Sequence, residues 1–257
     1  MESRWTTVGG LRLHARVSVE PVPDPRVGTP APTVVLVHGL GVSSRYMIPT
    51  ARRLAPFCRV YAPDLPGWGR SDAAPHTLNL PELADTLADW MAAVGLDRAA
   101  MIGNSLGCQI IAEVAVRHPA RLERAVLIGP TIAPRGRTTL QQFWRVLVDS
   151  TRETPSQPLV VLLDYFIFGL RRQLRTLHFA FAAPLEDRLP QMRVPTLVVR
   201  GERDPIVPQR WAEEVTNLVP DGLGRLVVIP GAAHTVNYSA PRELVRVVRP
   251  FLCAGPR

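Results

Sequence analysis

The sequence predicts an α/β fold, a mainly parallel sheet flanked by helices and interrupted once by a helical insertion. Three observations carry that expectation. Short apolar runs such as "TVVLV" (33–37) and "PTLVVRG" (195–201) show no polar alternation, as strands buried on both faces require. Segments with helical apolar spacing separate successive runs, and strand–helix alternation points to parallel pairing. One stretch, 131–190, breaks the alternation.

In order along the chain, "RWTTV" and "LRLHARVSV" flank Gly9-Gly10 and predict a β-hairpin. The Pro-rich "EPVPDPRVGTPAP" reads as a loop. "TVVLV" leads to a helix near 44–55, "CRVYAP" (58–63) to one near 80–95, and "AAMIG" (99–103) to one near 105–118. "RAVLIG" (124–129) ends that series. The stretch 131–190 instead carries Phe143, Trp144, Leu147, Leu162, Tyr165, Phe166, Phe168, Leu177 and Phe181 at helical spacing. It is expected to form a cap inserted between core segments 1–130 and 191–257. "PTLVVRG", a helix near 208–219, "GRLVVIPG" (224–231) and a helix near 240–253 complete the chain.

At 257 residues the chain can bury a full core. Its net charge is +8, yet all 30 basic residues are arginine, and many stand beside acids, as in "RLER" and "PREL". No basic run tracks a phosphate backbone, so nucleic acid is not an expected partner. No apolar run approaches the ~18 residues that cross a bilayer, and no membrane association is expected. The first 20 residues lack the continuous apolar region of a secretory signal. Cys58, Cys108 and Cys253 are odd in number and widely spaced. Neither a disulfide framework nor a zinc site is expected, and a cytoplasmic location fits.

The chemistry gathers at strand ends. Gly103-Asn104-Ser105-Leu106-Gly107 matches G-x-S-x-G and falls between an apolar strand and a helix. A serine on so sharp a turn presents its hydroxyl, and side chains at the glycine positions would strike the neighbouring strand and helix. A serine merely packed in a glycine-rich turn would explain the pentapeptide taken alone. A nucleophile also needs a base, and the base an orienting acid. Of six histidines, His234 follows the last strand, on the sheet edge where open α/β folds place their sites. His14, His76, His118 and His178 read as surface or packing residues. Asp204 in "RGERDPIVP" follows the preceding strand at a tight turn before Pro205, whereas Glu202 is expected to face solvent. The backbone N–H groups of Leu40, in His38-Gly39-Leu40-Gly41, and of Leu106 are the expected oxyanion donors. His38 shapes that loop. Such chemistry needs no cofactor and no metal.

"VLVHGLG", "VYAPDLPGWGRSD", "GNSLG", "PTLVVRGERDPIVP" and "VVIPGAAH", in this order, resemble the α/β-hydrolase superfamily along nearly the whole chain apart from the insertion. The resemblance implies a mainly parallel eight-stranded sheet with a Ser-His-Asp triad at its C-terminal edge, beneath a helical cap. Ser105, Asp204 and His234 come in the chain order of that fold. It also makes residues 64–72 a structural loop flanking the pocket, with no chemical role for Asp64, Arg70 or Asp72. Dehalogenases and epoxide hydrolases of the superfamily use aspartate where this chain has Ser105. The implied activity is hydrolysis of a small, largely apolar carboxylic ester, lactone or thioester through an acyl-enzyme. Tyr46, Trp144, Tyr165 and Phe166 are expected along the substrate pocket.

Two readings stand beside it. Hydrolases that cleave carbon–carbon bonds of ring-fission dienone acids share a "GNS" elbow and carry a cap arginine, which Arg145, Arg171, Arg172 or Arg175 could supply. They usually have tryptophan after the histidine, where this chain has Thr235. A ligand-binding protein on the same fold would keep the triad without turnover. Cys108 is expected to pack under the elbow, and Tyr238 to brace the histidine loop or to pack.

Overall fold

The computed structural model describes residues 1–18, 31–131 and 168–254. Two antiparallel strands open the chain, β1 (Glu2–Val8) and β2 (Leu11–Val17), turning at Gly9 and Gly10, both at positive φ. Six more strands follow: β3 (Thr33–Val37), β4 (Arg59–Pro63), β5 (Ala99–Asn104), β6 (Leu122–Ile128), β7 (Thr196–Gly201) and β8 (Gly224–Ile229). They form one sheet in the order β1-β2-β4-β3-β5-β6-β7-β8. β2 joins β4 antiparallel, and every pairing from β4 to β8 is parallel. The expected eight-stranded, mainly parallel sheet is the one observed.

The apolar runs are continuous because both faces of the sheet are covered. In β3, Val35 and Val37 pack toward α2 (Leu80–Ala93) and α3 (Leu106–Arg117). Val34 and Leu36 face the other way, toward α1 (Ile48–Leu54) and a C-terminal helix, Pro241–Cys253. Truncating a fully buried aliphatic side chain such as Ile102 to alanine is expected to cost about 2–5 kcal/mol. Local signals agree with this packing. α2 starts at a reciprocal capping box, in which Asn79 Oδ1 accepts from Glu82 N–H at 2.9 Å and Glu82 Oε2 accepts from Asn79 N–H at 2.7 Å.

The strand order places the candidate site. From β3 the chain steps outward to β4, then returns to β5 on the other side. The C-terminal ends of β3 and β5 therefore flank a topological switch point, the crevice in which open α/β sheets bind ligands.

Within 131–190 the described residues are largely helical, with α4 (Leu170–Ala182) followed by short 3-10 turns at Leu185–Asp187 and Leu189–Gln191. Gln109 Nε2 of α3 donates to the carbonyls of Ala180 and Ala183 at 2.9 and 2.8 Å, and Arg188 pairs with Glu113 at 2.7 Å. α5 (Gln209–Leu218), a single turn α6 (Val236–Ser239) and α7 (Pro241–Cys253) complete the described chain. No described helix is long and apolar enough to cross a membrane.

Candidate active site

β5 runs straight into the elbow. Ser105 sits at φ 55°, ψ −118°, a left-handed conformation that a non-glycine residue holds only where its surroundings enforce it, and α3 begins at Leu106. The flanking glycines are sterically required. A Cβ on Gly103 would lie 2.6 Å from the Gly107 carbonyl, and one on Gly107 would lie 2.3 Å from the Val37 oxygen. Ser105 is half-buried while its neighbours Asn104 and Leu106 are buried, so the turn presents the hydroxyl-bearing residue.

Three further loops leave the same sheet edge. After β3, Gly39 is in such close contact that a Cβ there would sit 3.3 Å from Ser105 Cβ, which brings the following Leu40 to the elbow. The N–H of Leu106, first residue of α3, has no carbonyl within its own helix to bond. Gly39, the residue before Leu40, and Leu106 thus adjoin Ser105. His38 is buried, and its Nε2 accepts from Leu65 N–H at 3.1 Å, so its Nδ1–H faces the Gly39 carbonyl at 2.9 Å. It shapes the loop, as expected.

After β7, Asp204 is 3% exposed and its two oxygens are divided. Oδ1 accepts from Ile206 N–H and Val207 N–H at 2.8 and 3.0 Å, while Oδ2 accepts from His234 Nδ1 at 2.8 Å. Below it, the buried guanidinium of Arg200 donates to the carbonyls of Val207, Glu202 and Asp204 at 2.7, 3.1 and 3.1 Å. Glu202 is exposed and accepts from Gly231 N–H at 2.8 Å.

After β8, the histidine loop packs close to its neighbours. A Cβ on Gly201 would lie 2.0 Å from the Ala233 oxygen, and one on Gly129 would lie 2.8 Å from His234 Cε1. Asn104 binds this loop to the elbow. Its Nδ2 donates to Ile128 O and His234 O at 3.2 and 3.4 Å, and its Oδ1 accepts from the Tyr46 hydroxyl at 3.3 Å.

Other residues singled out from the sequence have well-defined surroundings. Tyr46, expected along the pocket, is 2% exposed, donates its hydroxyl to Asn104 Oδ1 and stacks on Tyr238 at 5.6 Å. Trp144, Tyr165 and Phe166 lie outside the described residues. His14 is a fully buried residue that gives Nδ1 to Asp64 Oδ2 at 2.7 Å, with Nε2 3.0 Å from Ser3 Oγ. Asp64 also accepts from Ser44 N–H and Arg70 N–H at 2.7 and 3.0 Å. Burial pushes the Asp64 carboxyl up, but the bonds from His14 and Arg70 outweigh it and bring the pKa down to about 2. Cys108 packs under the elbow as expected. Burial raises its thiol far above the ordinary value, and its Sγ points at Ile128 O and Gly103 O at 3.3 and 3.4 Å.

Sequence reasoning passed over Asn104, Arg200 and Gly129. Asn104 stood inside the quoted motif, and Gly129 ended a quoted strand, but their partners come from distant segments.

The sequence profile of the alpha/beta hydrolase family matches residues 34–247. A Yersinia enterocolitica protein provisionally named carbamate hydrolase RutD is 30% identical over 232 residues, covering 81% of this chain and 84% of the relative. The pimeloyl-[acyl-carrier protein] methyl ester esterase of Aeromonas hydrophila is 26% identical over 251 residues, covering 86% and 95%. Among solved structures, the enol-lactonase of Burkholderia xenovorans superposes with a TM-score of 0.76 at 23% identity, covering 98% of this chain and 100% of that one. The fold, the elbow and the matched span agree: this chain belongs to the alpha/beta hydrolase family.

Proposed function

We propose that the protein is a serine hydrolase acting on a small, largely apolar carboxylic ester, lactone or thioester. The observation that carries this reading is the 2.8 Å bond from His234 to Asp204, on a loop that Asn104 ties to a serine at φ 55°. Ser105 Oγ attacks the carbonyl carbon, and His234 Nε2 takes its proton and later returns it to the leaving alcohol or thiol. Asp204, with one oxygen held by two backbone N–H groups, keeps the imidazole in the tautomer with its proton on Nδ1. The Leu40 and Leu106 amides receive the oxyanion. Water, activated by the same histidine, then hydrolyses the acyl-enzyme. The stretch 131–190 acts as a cap over this edge, and the methyl ester esterase named above supports an ester as the bond cleaved.

A fluorophosphonate probe and a panel of nitrophenyl esters graded by acyl length test this reading. Wild type should be labelled at Ser105 and cleave short esters. Ser105→Ala should lose at least about a thousandfold in kcat/KM with its melting temperature preserved. Undiminished turnover in Ser105→Ala would remove the assignment.

A further inference from the structure

α4 buries Gln173, Thr176 and Ala180 along one face, at the spacing of successive helical turns. Contacts locate both ends of that face. At its C-terminal end, Gln109, one turn past Ser105 on α3, holds the carbonyls of Ala180 and Ala183. At its start, Phe168 stacks on Trp68 at 3.9 Å, and Trp68 meets the ring of His38 at 5.6 Å, next to the Gly39 that touches the elbow. The face between these anchors therefore runs from the Trp68 loop to the first turns of α3, the helix that begins after Ser105.

That seam is unusual in its unsatisfied polarity. Five buried side-chain nitrogen and oxygen atoms along it have no hydrogen-bond partner among the described residues: Gln173 Nε2 and Oε1, Thr176 Oγ1, Gln109 Oε1 and Trp68 Nε1. Gln173 is 3% exposed and Thr176 fully buried. Burying such a group without a partner is unfavourable, so this face is built at the expense of stability.

We propose that Gln173 and Thr176, one turn apart on α4, form a neutral polar subsite that receives a secondary amide of the substrate. The inference rests on the hydrolase reading of Ser105 and narrows its substrate class. The ligand's chemistry follows from the donor set. Gln173 Nε2 donates, Gln173 Oε1 accepts, and Thr176 can do either. An anion would face the Gln173 carbonyl oxygen and a cation its N–H groups. An amide, with its carbonyl and N–H, satisfies both kinds.

The test compares two esters of equal chain length, p-nitrophenyl 3-acetamidopropanoate and p-nitrophenyl hexanoate, each rate divided by its spontaneous hydrolysis. Wild type should favour the amide ester, and Gln173→Leu/Thr176→Val should cut the amide-to-hexanoate ratio of kcat/KM by about tenfold or more. The melting temperature of that double variant should stay level or rise, because apolar isosteres replace unpaired polar atoms. An unchanged ratio, or a fall of several degrees in melting temperature, overturns the subsite. Binding of the same two esters to Ser105→Ala, with and without the double substitution, reads the preference without turnover. Absent cleavage with an intact binding preference would count against the hydrolase reading, and absent preference against the subsite alone.

Discussion

The side-chain amide of Asn104 donates to the main-chain carbonyl of His234 at 3.4 Å, joining the residue before the elbow serine to the loop that carries the imidazole. The same amide holds Ile128 O at 3.2 Å, and its oxygen takes the Tyr46 hydroxyl. One side chain thus spans three strand-end loops. Asn104→Ala should lower kcat by about tenfold or more with little change in KM, because it loosens the base relative to the nucleophile and not the substrate's own contacts. It should also cost about 1–3 kcal/mol in urea melts. A variant with full kcat would show that the elbow holds its register without this link.

Gly129 offers a steric test of the histidine. At φ 55°, with a Cβ position 2.8 Å from His234 Cε1 and 2.9 Å from Nδ1, Gly129→Ala must displace the imidazole. Fluorophosphonate labelling of Ser105 should slow by about tenfold to a hundredfold. Gly95 is the control: it has φ 75° but nothing within 4 Å of its Cβ position. Gly95→Ala should cost about 1–2 kcal/mol of stability and leave labelling unchanged.

The Asp64 network predicts a pH dependence of stability. The carboxyl, ordinarily with a pKa of 3.8, is brought to about 2 in the folded protein, so the folded state favours its charged form. A depressed acid contributes fully above the unfolded pKa and loses that contribution as pH falls through the folded one. Asp64→Asn should therefore be destabilised relative to wild type by about 2 kcal/mol or more near pH 7, and the gap should close as pH falls from 5 toward 2. Chemical melts at several pH values check this. A gap that widens on acidification would contradict the sign.

The thiols divide by burial. Cys58 and Cys108 are buried and Cys253 is exposed. Burial pushes Cys58 up to about 12 and Cys108 higher still, so neither forms thiolate at neutral pH. Iodoacetamide should modify Cys253 alone in the native protein and all three after denaturation, read by mass spectrometry. Native labelling of Cys108 would mean that the elbow opens.

Much of this site could be read locally. Gly103 and Gly107 marked the elbow because a strand followed at once by a helix leaves no room for a side chain. Asp204 and His234 could be found because each stands directly after a strand whose own residues announce it. Tyr46 shows where that logic stops. Its position after the Leu40 loop suggested the pocket, but its partners, Tyr238 192 residues later and Asn104, come only from the tertiary structure. His14 is the clearest case. It read as a surface or packing residue of the hairpin, and it is fully buried because β2 pairs with β4, whose Pro63 leads directly to Asp64.

The sequence by itself determined the strands, the helices, the elbow and the order of serine, acid and histidine. Those depend on turn chemistry and hydrophobic period, which act over a few residues. The tertiary structure alone decided which polar groups meet: Asn104 with His234, Arg200 with three carbonyls of the acid loop, and Gln109 with the end of α4. The first and last of these pairings span 130 and 71 residues. They arise from the order of strands in the sheet and the docking of helices on it, neither of which is written in any single stretch of sequence.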